Sequence, residues 1–286
     1  MSWVILLWNP CSSTGPRYSD RKWNERLIDL ARYLITMEYR GTSFHGFQKQ
    51  PGLPTIQGSL ESVLLALTGQ EIRVPGAGRT DTGAHAFGQT ATFDLPHEVD
   101  PPKTIISLNA LLPKGITITS MMQVWDGFDP RRNAEWREYR YFILNRSAPS
   151  ALLDEFTYHY PGFLDIDLMN KACAACLGEH DFSAFRSKSQ DESSVRTVLA
   201  CEVREIMPGV LSLLVRADSF LYRMVRILGG AIVAVGNGKM EPEDFTGYLD
   251  SGAVKPCAEP LPARGLFLWR VSYPPETLSR EPGLET

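Results

Sequence analysis

Apolar residues recur at helical spacing in five stretches of the chain. In the first stretch they fall at i, i+4, i+7, i+8 and i+11 from Ile56, the pattern of an amphipathic helix. Thr55 is a suitable N-cap for this helix, and Gly69 is a typical stop signal. The helices predicted in this way cover residues 56–67, 103–112, 168–177, 220–235 and 242–249.

Short apolar or alternating runs predict the strands. They cover residues 33–39, 72–74, 89–93, 116–124, 136–144, 198–206, 210–217 and 266–273. In chain order, the strands and helices form two α+β halves of similar plan, each resembling a split βαβ unit. A cleft between two such halves is a natural place for an active site.

Composition and charge restrict the possible partners. The formal net charge of the 286 residues is −4, so any nucleic-acid binding needs a segregated basic surface. Five widely spaced cysteines fit a reducing compartment better than a disulfide framework. Cys173 and Cys176 invite a metal or redox interpretation, but no second pair accompanies them, and we interpret them as core residues. No apolar run approaches the roughly 18 residues needed to span a membrane.

A glycine-rich stretch, Gly76 to Ala86, places charged residues on a predicted loop between strands. Arg79 and Asp81 lie two positions apart, and His85 follows. Glycines allow close approach of another molecule, and loops on a rigid sheet often carry chemistry. A hairpin turn with a surface ion pair explains the same residues, and spacing alone leaves both interpretations open.

Arginines are concentrated in residues 131–146. They are Arg131, Arg132, Arg137, Arg140 and Arg146. The strand predicted here places Tyr139 and Tyr141 on one face and Arg140 on the other. Basic residues interleaved with aromatic ones suit a polyanion with stackable bases, but an amphipathic edge strand fits equally well.

Two further arginines lie near the start of the predicted helix over residues 220–235. In that helix Tyr222 and Arg226 would stand one turn apart, with Arg223 beside them. Positive charge at a helix start opposes the helix dipole. A partner carboxylate or phosphate would relieve this repulsion, as would solvent.

Several motifs together closely resemble the TruA-type tRNA pseudouridine synthase family. They occur in family order between residues 32 and 274. They are Gly41-Thr42-Ser43-Phe44-His45-Gly46-Phe47-Gln48, Thr55-Ile56-Gln57-Gly58, Arg79-Thr80-Asp81-Thr82-Gly83-Ala84-His85-Ala86, Phe128-Asp129-Pro130-Arg131, Tyr139-Arg140-Tyr141, His180-Asp181-Phe182-Ser183-Ala184-Phe185, Phe220-Leu221-Tyr222-Arg223-Met224-Val225-Arg226 and Gly265-Leu266-Phe267-Leu268. The family usually has alanine at the position of Thr82 and valine at that of Ala84.

The resemblance implies the pseudouridine synthase fold. In this fold two ferredoxin-like halves form a largely antiparallel sheet, with helices packed on it and a cleft between the halves. The halves would be residues 32–125, which carry the catalytic loop, and residues 126–274. We expect residues 1–31 to be an extension of unknown role and residues 275–286 to be a disordered tail.

The resemblance also implies roles for individual residues. Asp81 matches the catalytic carboxylate, and Arg226 matches the arginine that pairs with it and keeps it ionised. Arg79 matches the arginine that draws the target nucleotide out of its stack, and Tyr139 the tyrosine that packs on the flipped uracil. His85 is not the family's general base, so we expect it to be structural or to contact RNA.

By the same resemblance, the protein converts uridine to pseudouridine in the anticodon stem-loop of tRNA, at positions 38, 39 and 40. It would need no metal or other cofactor, and it would act as a cytoplasmic homodimer. We interpret a further basic group as a phosphate-binding surface, although any one member could simply face solvent. This group is Arg131, Arg132, Arg137, Arg186 and Lys188.

Two other functions are compatible with parts of the sequence. One is a catalytically weak RNA-binding module of the same fold, which the intact set of Asp81, Tyr139 and Arg226 disfavours. The other is an enzyme acting on free nucleosides, which would leave the basic surface without a purpose.

Overall fold

The computed structural model describes residues 30–187, 193–253 and 255–279. The strands in these ranges are β1 (Ala31–Tyr39), β2 (His85–Leu95), β3 (Ile116–Val124), β4 (Trp136–Leu144), β5 (Tyr158–His159), β6 (Gly178–Asp181), β7 (Val195–Met207), β8 (Val210–Ala217) and β9 (Leu266–Ser272). The helices are α1 (Ile56–Thr68), α2 (Pro101–Leu111), α3 (Ile166–Ala175), α4 (Met224–Gly236), α5 (Pro242–Tyr248) and α6 (Pro275–Leu278).

Local capping determines where the first helices begin and end. The Gly58 N–H donates to Thr55 Oγ1 at 3.2 Å, and Gly69 follows α1 in the left-handed conformation with a φ of 70°. The side chains of Asp100 and Asp165 cap α2 and α3 in the same way. Because these signals are local, the bounds predicted for α1, α2 and α3 are closely confirmed; those of α5, which begins at Pro242 without a side-chain cap, are confirmed as well.

One mixed sheet holds both halves together. The strand order is β3-β1-β2-β9-β4-β8-β7-β6, with β5 paired to β4. All pairs are antiparallel except β4–β5 and β2–β9. The halves meet at β2–β9, where His85 lies opposite Phe267 and Ala86 opposite Leu268. The prediction of an α+β fold with a largely antiparallel sheet is confirmed.

One strand prediction is wrong, and one open alternative is excluded. Residues 72–74 form no strand; the chain there makes only an isolated bridge between Gly76 and Ala91, so the first half contributes three strands. The structure also excludes the edge strand, one of the two alternatives left open for residues 136–144, because β4 pairs with β8 on one side and β9 on the other. The predicted alternation in β4 is confirmed, because Tyr139 and Tyr141 are both buried while Arg140 is half-buried.

Helix α4 begins later than its apolar pattern predicts. Residues 220–223 precede it as a turn, in which the Met224 N–H donates to the Leu221 carbonyl at 3.0 Å. Arg223 adopts the left-handed conformation with a φ of 61°. Tyr222 is thus outside the helix, and the predicted spacing of Tyr222 and Arg226 on consecutive helical turns is wrong.

The cysteine, tail and membrane predictions can also be compared with the structure. Cys173 on α3 and Cys176, which follows that helix directly, are both buried, as expected for core residues. The predicted tail begins with the short helix α6, and residues 280–286 and 1–29 lie outside the described residues. None of the helices described is long and apolar enough to cross a membrane.

Close packing where the halves meet requires a residue without a Cβ atom at position 88. A Cβ atom there would lie 2.6 Å from the Trp269 carbonyl oxygen of β9. We expect Gly88→Ala to lower the free energy of unfolding by about 1–3 kcal/mol, because β2 and β9 would have to separate. Gly247→Ala is the control, since a Cβ at Gly247 meets nothing within 4 Å. Urea unfolding should show a loss for Gly88→Ala alone; equal stability of the two variants would contradict close packing at the junction.

Candidate active site

The loop that carries Asp81 is held by uncharged groups on both sides. Gln89 Nε2 donates to the Gly78 carbonyl at 2.7 Å, and the Thr80 and Tyr39 hydroxyls are 2.8 Å apart. The Phe47 N–H donates to the Thr80 carbonyl at 3.2 Å. These bonds satisfy the buried polar groups of the loop and fix its backbone.

A glycine from the preceding loop makes this arrangement possible. Gly46 has a φ of 84°, and a Cβ on it would lie 2.7 Å from the Thr80 carbonyl oxygen. Only glycine tolerates both the left-handed conformation and the close approach. The motif over residues 41–48 therefore packs directly against the Asp81 loop at Thr80.

Asp81 forms an ion pair with Arg226 across the two halves. Arg226 Nη1 donates to Asp81 Oδ2 at 2.5 Å, and its Nε donates to the Leu261 carbonyl at 2.6 Å. Their side chains are only 19% and 13% exposed, so water screens the pair poorly. The predicted pairing of these two residues is present in the structure.

Tyr139 lies beside this pair on β4. Its ring packs edge-on against Phe220, with centroids 4.9 Å apart. Burial raises the pKa of Tyr139 to about 12; the Asp81 charge also raises it and Arg137 opposes the rise. The phenol is therefore neutral at neutral pH. Its hydroxyl makes no hydrogen bond with any described residue.

Arg79 differs from its loop neighbours. Its side chain is exposed, and no residue in the described ranges forms an ion pair or hydrogen bond with it. The Asp81 carboxylate pairs instead with Arg226, so the interpretation of the loop as a turn with a surface Arg79–Asp81 ion pair is wrong.

His85 has a structural role. It is fully buried, its Nδ1 accepts the Gly41 N–H at 3.2 Å, and its Nε2 lies 3.0 Å from the Glu155 carbonyl oxygen. The ring stacks on Phe267 at 4.6 Å between centroids. Both ring nitrogens thus bind backbone groups, and the ring is neutral because Nδ1 accepts a hydrogen bond. Of the two roles expected for His85, the structural one is confirmed.

The predicted phosphate-binding residues separate into two groups. Arg131 and Arg132 are exposed; the Arg132 side chain is near Asp129, at 4.0 Å. Arg186 is half-buried, and Lys188 lies outside the described residues. Arg137 alone forms the second group, because it is buried.

Arg137 is buried rather than available to a ligand. Its guanidinium donates to the carbonyl of Asp218 at 2.7 Å and to that of Arg131. Burial lowers its pKa. This placement contradicts a role in phosphate contact. The guanidinium instead links β4 to the loop before it, through Arg131, and to the residue that follows β8, Asp218.

Sequence reasoning missed one charged residue of the site. Arg223 Nε lies 4.0 Å from Asp81 Oδ2. The residue stood within a recognised motif, but only its left-handed backbone brings it to Asp81, and nothing in the local sequence signals that conformation. Among the described residues, no cluster of His, Cys, Asp or Glu side chains could hold a metal ion.

Known proteins resemble this chain over most of its length. The sequence profile described as tRNA pseudouridine synthase matches residues 172–274. A protein named tRNA pseudouridine synthase A from Caldicellulosiruptor saccharolyticus is 36% identical over 245 residues, covering 85% of this chain and 100% of that protein. The chain belongs to the TruA-type tRNA pseudouridine synthase family.

Other members of the family give the same result. The proteins of the same name from Oceanobacillus iheyensis and Chlorobium phaeobacteroides are 37% and 39% identical to this chain. These similarities cover 85% and 84% of this chain and 97% and 92% of the two relatives. The profile match includes Arg226 on α4, and the longer alignments extend the similarity well beyond it.

The buried imidazole of His85 predicts a pH dependence of stability. Burial lowers the pKa of His85. The folded state therefore binds fewer protons than the unfolded state, and stability is lost as the pH falls below about 6.5. We expect His85→Gln to flatten this loss by up to about 1.4 kcal/mol per pH unit in urea unfolding between pH 7.5 and 5.5.

The matched control is His97→Gln, at an exposed histidine. This variant should keep the pH dependence of the natural protein. An unchanged slope in His85→Gln would mean that other groups cause the loss of stability in acid.

Proposed function

We propose that the protein converts uridine to pseudouridine at positions 38, 39 and 40 of the tRNA anticodon stem-loop, with Asp81 as the catalytic carboxylate. Membership of the family makes the protein a tRNA-modifying isomerase. The observation that carries the proposal is the poorly hydrated Asp81–Arg226 ion pair, which presents a carboxylate beside Tyr139 at the meeting point of the two halves.

The reaction rearranges one bond and needs no external reactant. The N1–C1′ bond of uridine breaks, the freed uracil rotates, and C5 bonds to C1′. The C5 proton leaves and N1 gains one, so the atoms balance. Asp81 enables the bond breakage, and its ion pair with Arg226 holds the carboxylate in position. Both arginine contacts to Asp81 are at Oδ2, which leaves Oδ1 for the nucleotide.

Two further steps, extrusion of the target nucleotide and packing on its base, are assigned to Arg79 and Tyr139. We assign the Tyr139 ring to packing on the extruded uracil, where a stacking contact contributes about 1–3 kcal/mol. Its neutral hydroxyl can exchange hydrogen bonds with the base during rotation. Arg79 is exposed and forms no hydrogen bond or ion pair with a described residue, which suits a side chain that enters the RNA stack and replaces the extruded nucleotide.

Basic residues away from Asp81 would hold the RNA backbone. Arg131 and Arg132 remain our candidates for phosphate contacts, together with Arg186 and Lys188. We now assign Arg137 to positioning the loop that carries Arg131, whose carbonyl it binds. A homodimer that holds tRNA in the cytoplasm is part of this proposal; it rests on the family resemblance and, for the compartment, on the cysteine pattern.

The first test removes the charge of Asp81. Asp81→Asn keeps the shape of the side chain but loses its negative charge, so we expect pseudouridine formation to fall by at least about 10²–10⁴-fold. Pseudouridine is mapped on an unmodified tRNA transcript by carbodiimide-dependent reverse-transcription stops. Filter binding of the same transcript should remain close to that of the natural protein.

The control is Asp154→Asn, at a carboxylate that is 59% exposed and paired with Arg264. This variant should retain the stops at positions 38, 39 and 40. Stops that persist in Asp81→Asn would remove the aspartate from its role. Binding by the natural protein without any stops would instead support the RNA-binding module.

A second test separates the two kinds of arginine. Arg131→Ala should weaken tRNA binding and reduce the slope of log K against log salt by about 0.7–0.9, since one phosphate contact is lost. Arg137→Ala should lower the free energy of unfolding by about 1–3 kcal/mol, because it leaves buried carbonyls without donors. Salt-dependent filter binding and urea unfolding measure the two effects.

Arg204→Ala is the control for both measurements. Arg204 is exposed on β7 and paired with Glu202. We expect the Arg204→Ala variant to change neither the salt slope nor the free energy of unfolding appreciably. A turnover defect in Arg131→Ala with unchanged affinity would contradict the phosphate assignment.

A further inference from the structure

Arg223 lies next to the catalytic carboxylate with its hydrogen-bonding groups unused. Its Nε is 4.0 Å from Asp81 Oδ2, which exceeds hydrogen-bond distance. The guanidinium carbon lies 5.0 Å from the centre of the Tyr222 ring, and the side chain is 39% exposed. No described residue accepts a hydrogen bond from this guanidinium. Five N–H donors are therefore available at the mouth of the site.

The backbone of Arg223 is strained. Its φ of 61° and ψ of 13° are left-handed values that glycine and asparagine adopt far more readily than arginine. In this conformation its carbonyl accepts the N–H groups of Arg226 and Ile227, both at 3.1 Å, and so begins α4. Asparagine would serve that purpose at lower cost. Strain of this kind is concentrated at functional sites, which suggests that the arginine side chain itself is needed.

The charges around Arg223 favour an anionic ligand. Arg223 and Arg226 both stand at the positive end of the α4 dipole. The structure records one carboxylate within 4.0 Å of both, that of Asp81. Arg226 is already engaged by Asp81 and the Leu261 carbonyl, so the uncompensated positive charge belongs to Arg223.

We propose that Arg223 binds the RNA phosphate adjacent to the target uridine and so positions the ribose against Asp81 Oδ1. A guanidinium fork matches phosphate oxygens in a bidentate manner, and its stacking on Tyr222 orients it without using its donors. Arg223 is in this view a substrate-positioning residue. This role rests on the proposed function, because it concerns the same site and the same tRNA.

The decisive variant is Arg223→Asn, which relieves the backbone while removing the guanidinium. We expect Tm to rise by about 1–3 °C. For an unmodified tRNA transcript, we expect KM to rise about tenfold, with kcat changed less than about threefold. The slope of log K against log salt should fall by about 0.7–0.9, the loss of one phosphate contact.

Two controls accompany this variant. Arg223→Lys keeps the charge and the strained backbone, so it should keep the salt slope and the Tm of the natural protein. Arg204→Asn removes an exposed arginine from the distant strand β7 and should leave KM and the salt slope unchanged.

The readouts separate this inference from the proposed function. If the natural protein forms no pseudouridine, the proposed function fails. If it does, and Arg223→Asn leaves both KM and the salt slope unchanged, only the role of Arg223 is overturned. A fall in kcat at unchanged KM and salt slope would also overturn it, because Arg223 would then act through the charge of Asp81 and not on phosphate.

Discussion

The ion pair between Asp81 and Arg226 is the contact on which the rest of the site depends. Its partners are 145 residues apart in the sequence and come from different halves of the fold. Removing one partner of a buried pair typically costs about 3–5 kcal/mol, because the other charge is left unpaired, and this partly exposed pair lies below that range. The pair therefore favours one relative position of loop and helix, the position in which a carboxylate stands beside Tyr139.

The groups that hold the Asp81 loop in place are uncharged, so they do not neutralise the Asp81 carboxylate. Neutral groups fix the loop at Gly78 and Thr80, and four residues after Asp81 the ring of His85 is held between backbone groups. On the opposite side, the Leu261 carbonyl orients the Arg226 guanidinium. Among the described residues, Asp81 is the only carboxylate that forms an ion pair with Arg226.

Sequence predicts those features whose causes are local. Capping residues fix the helix bounds, and alternation places the tyrosines of β4 on one face. The failures have distant causes. Val74 is fully buried without being in a strand, since its N–H bonds to Glu61 of α1 rather than to a neighbouring strand. Arg137 is charged but buried because three parts of the chain present carbonyls to it. The turn at Arg223 depends on its position between the halves and not on its own preference.

The central position of β4 has a consequence for how this protein can change in evolution. Tyr139 lies close to Asp81 on one face of β4, while its neighbour Glu138 is on the opposite face between Arg140 and Arg216. Because strand faces alternate with every residue, inserting or deleting one residue before Tyr139 would exchange the two side chains. The pairing with β9 is already irregular between Glu138 and Tyr139, but β8 pairs with β4 without a break from Arg137 to Leu144 and could not absorb the shift. Loops can lengthen and surface residues can drift, but the length of this strand must be inherited unchanged by any descendant that keeps the reaction.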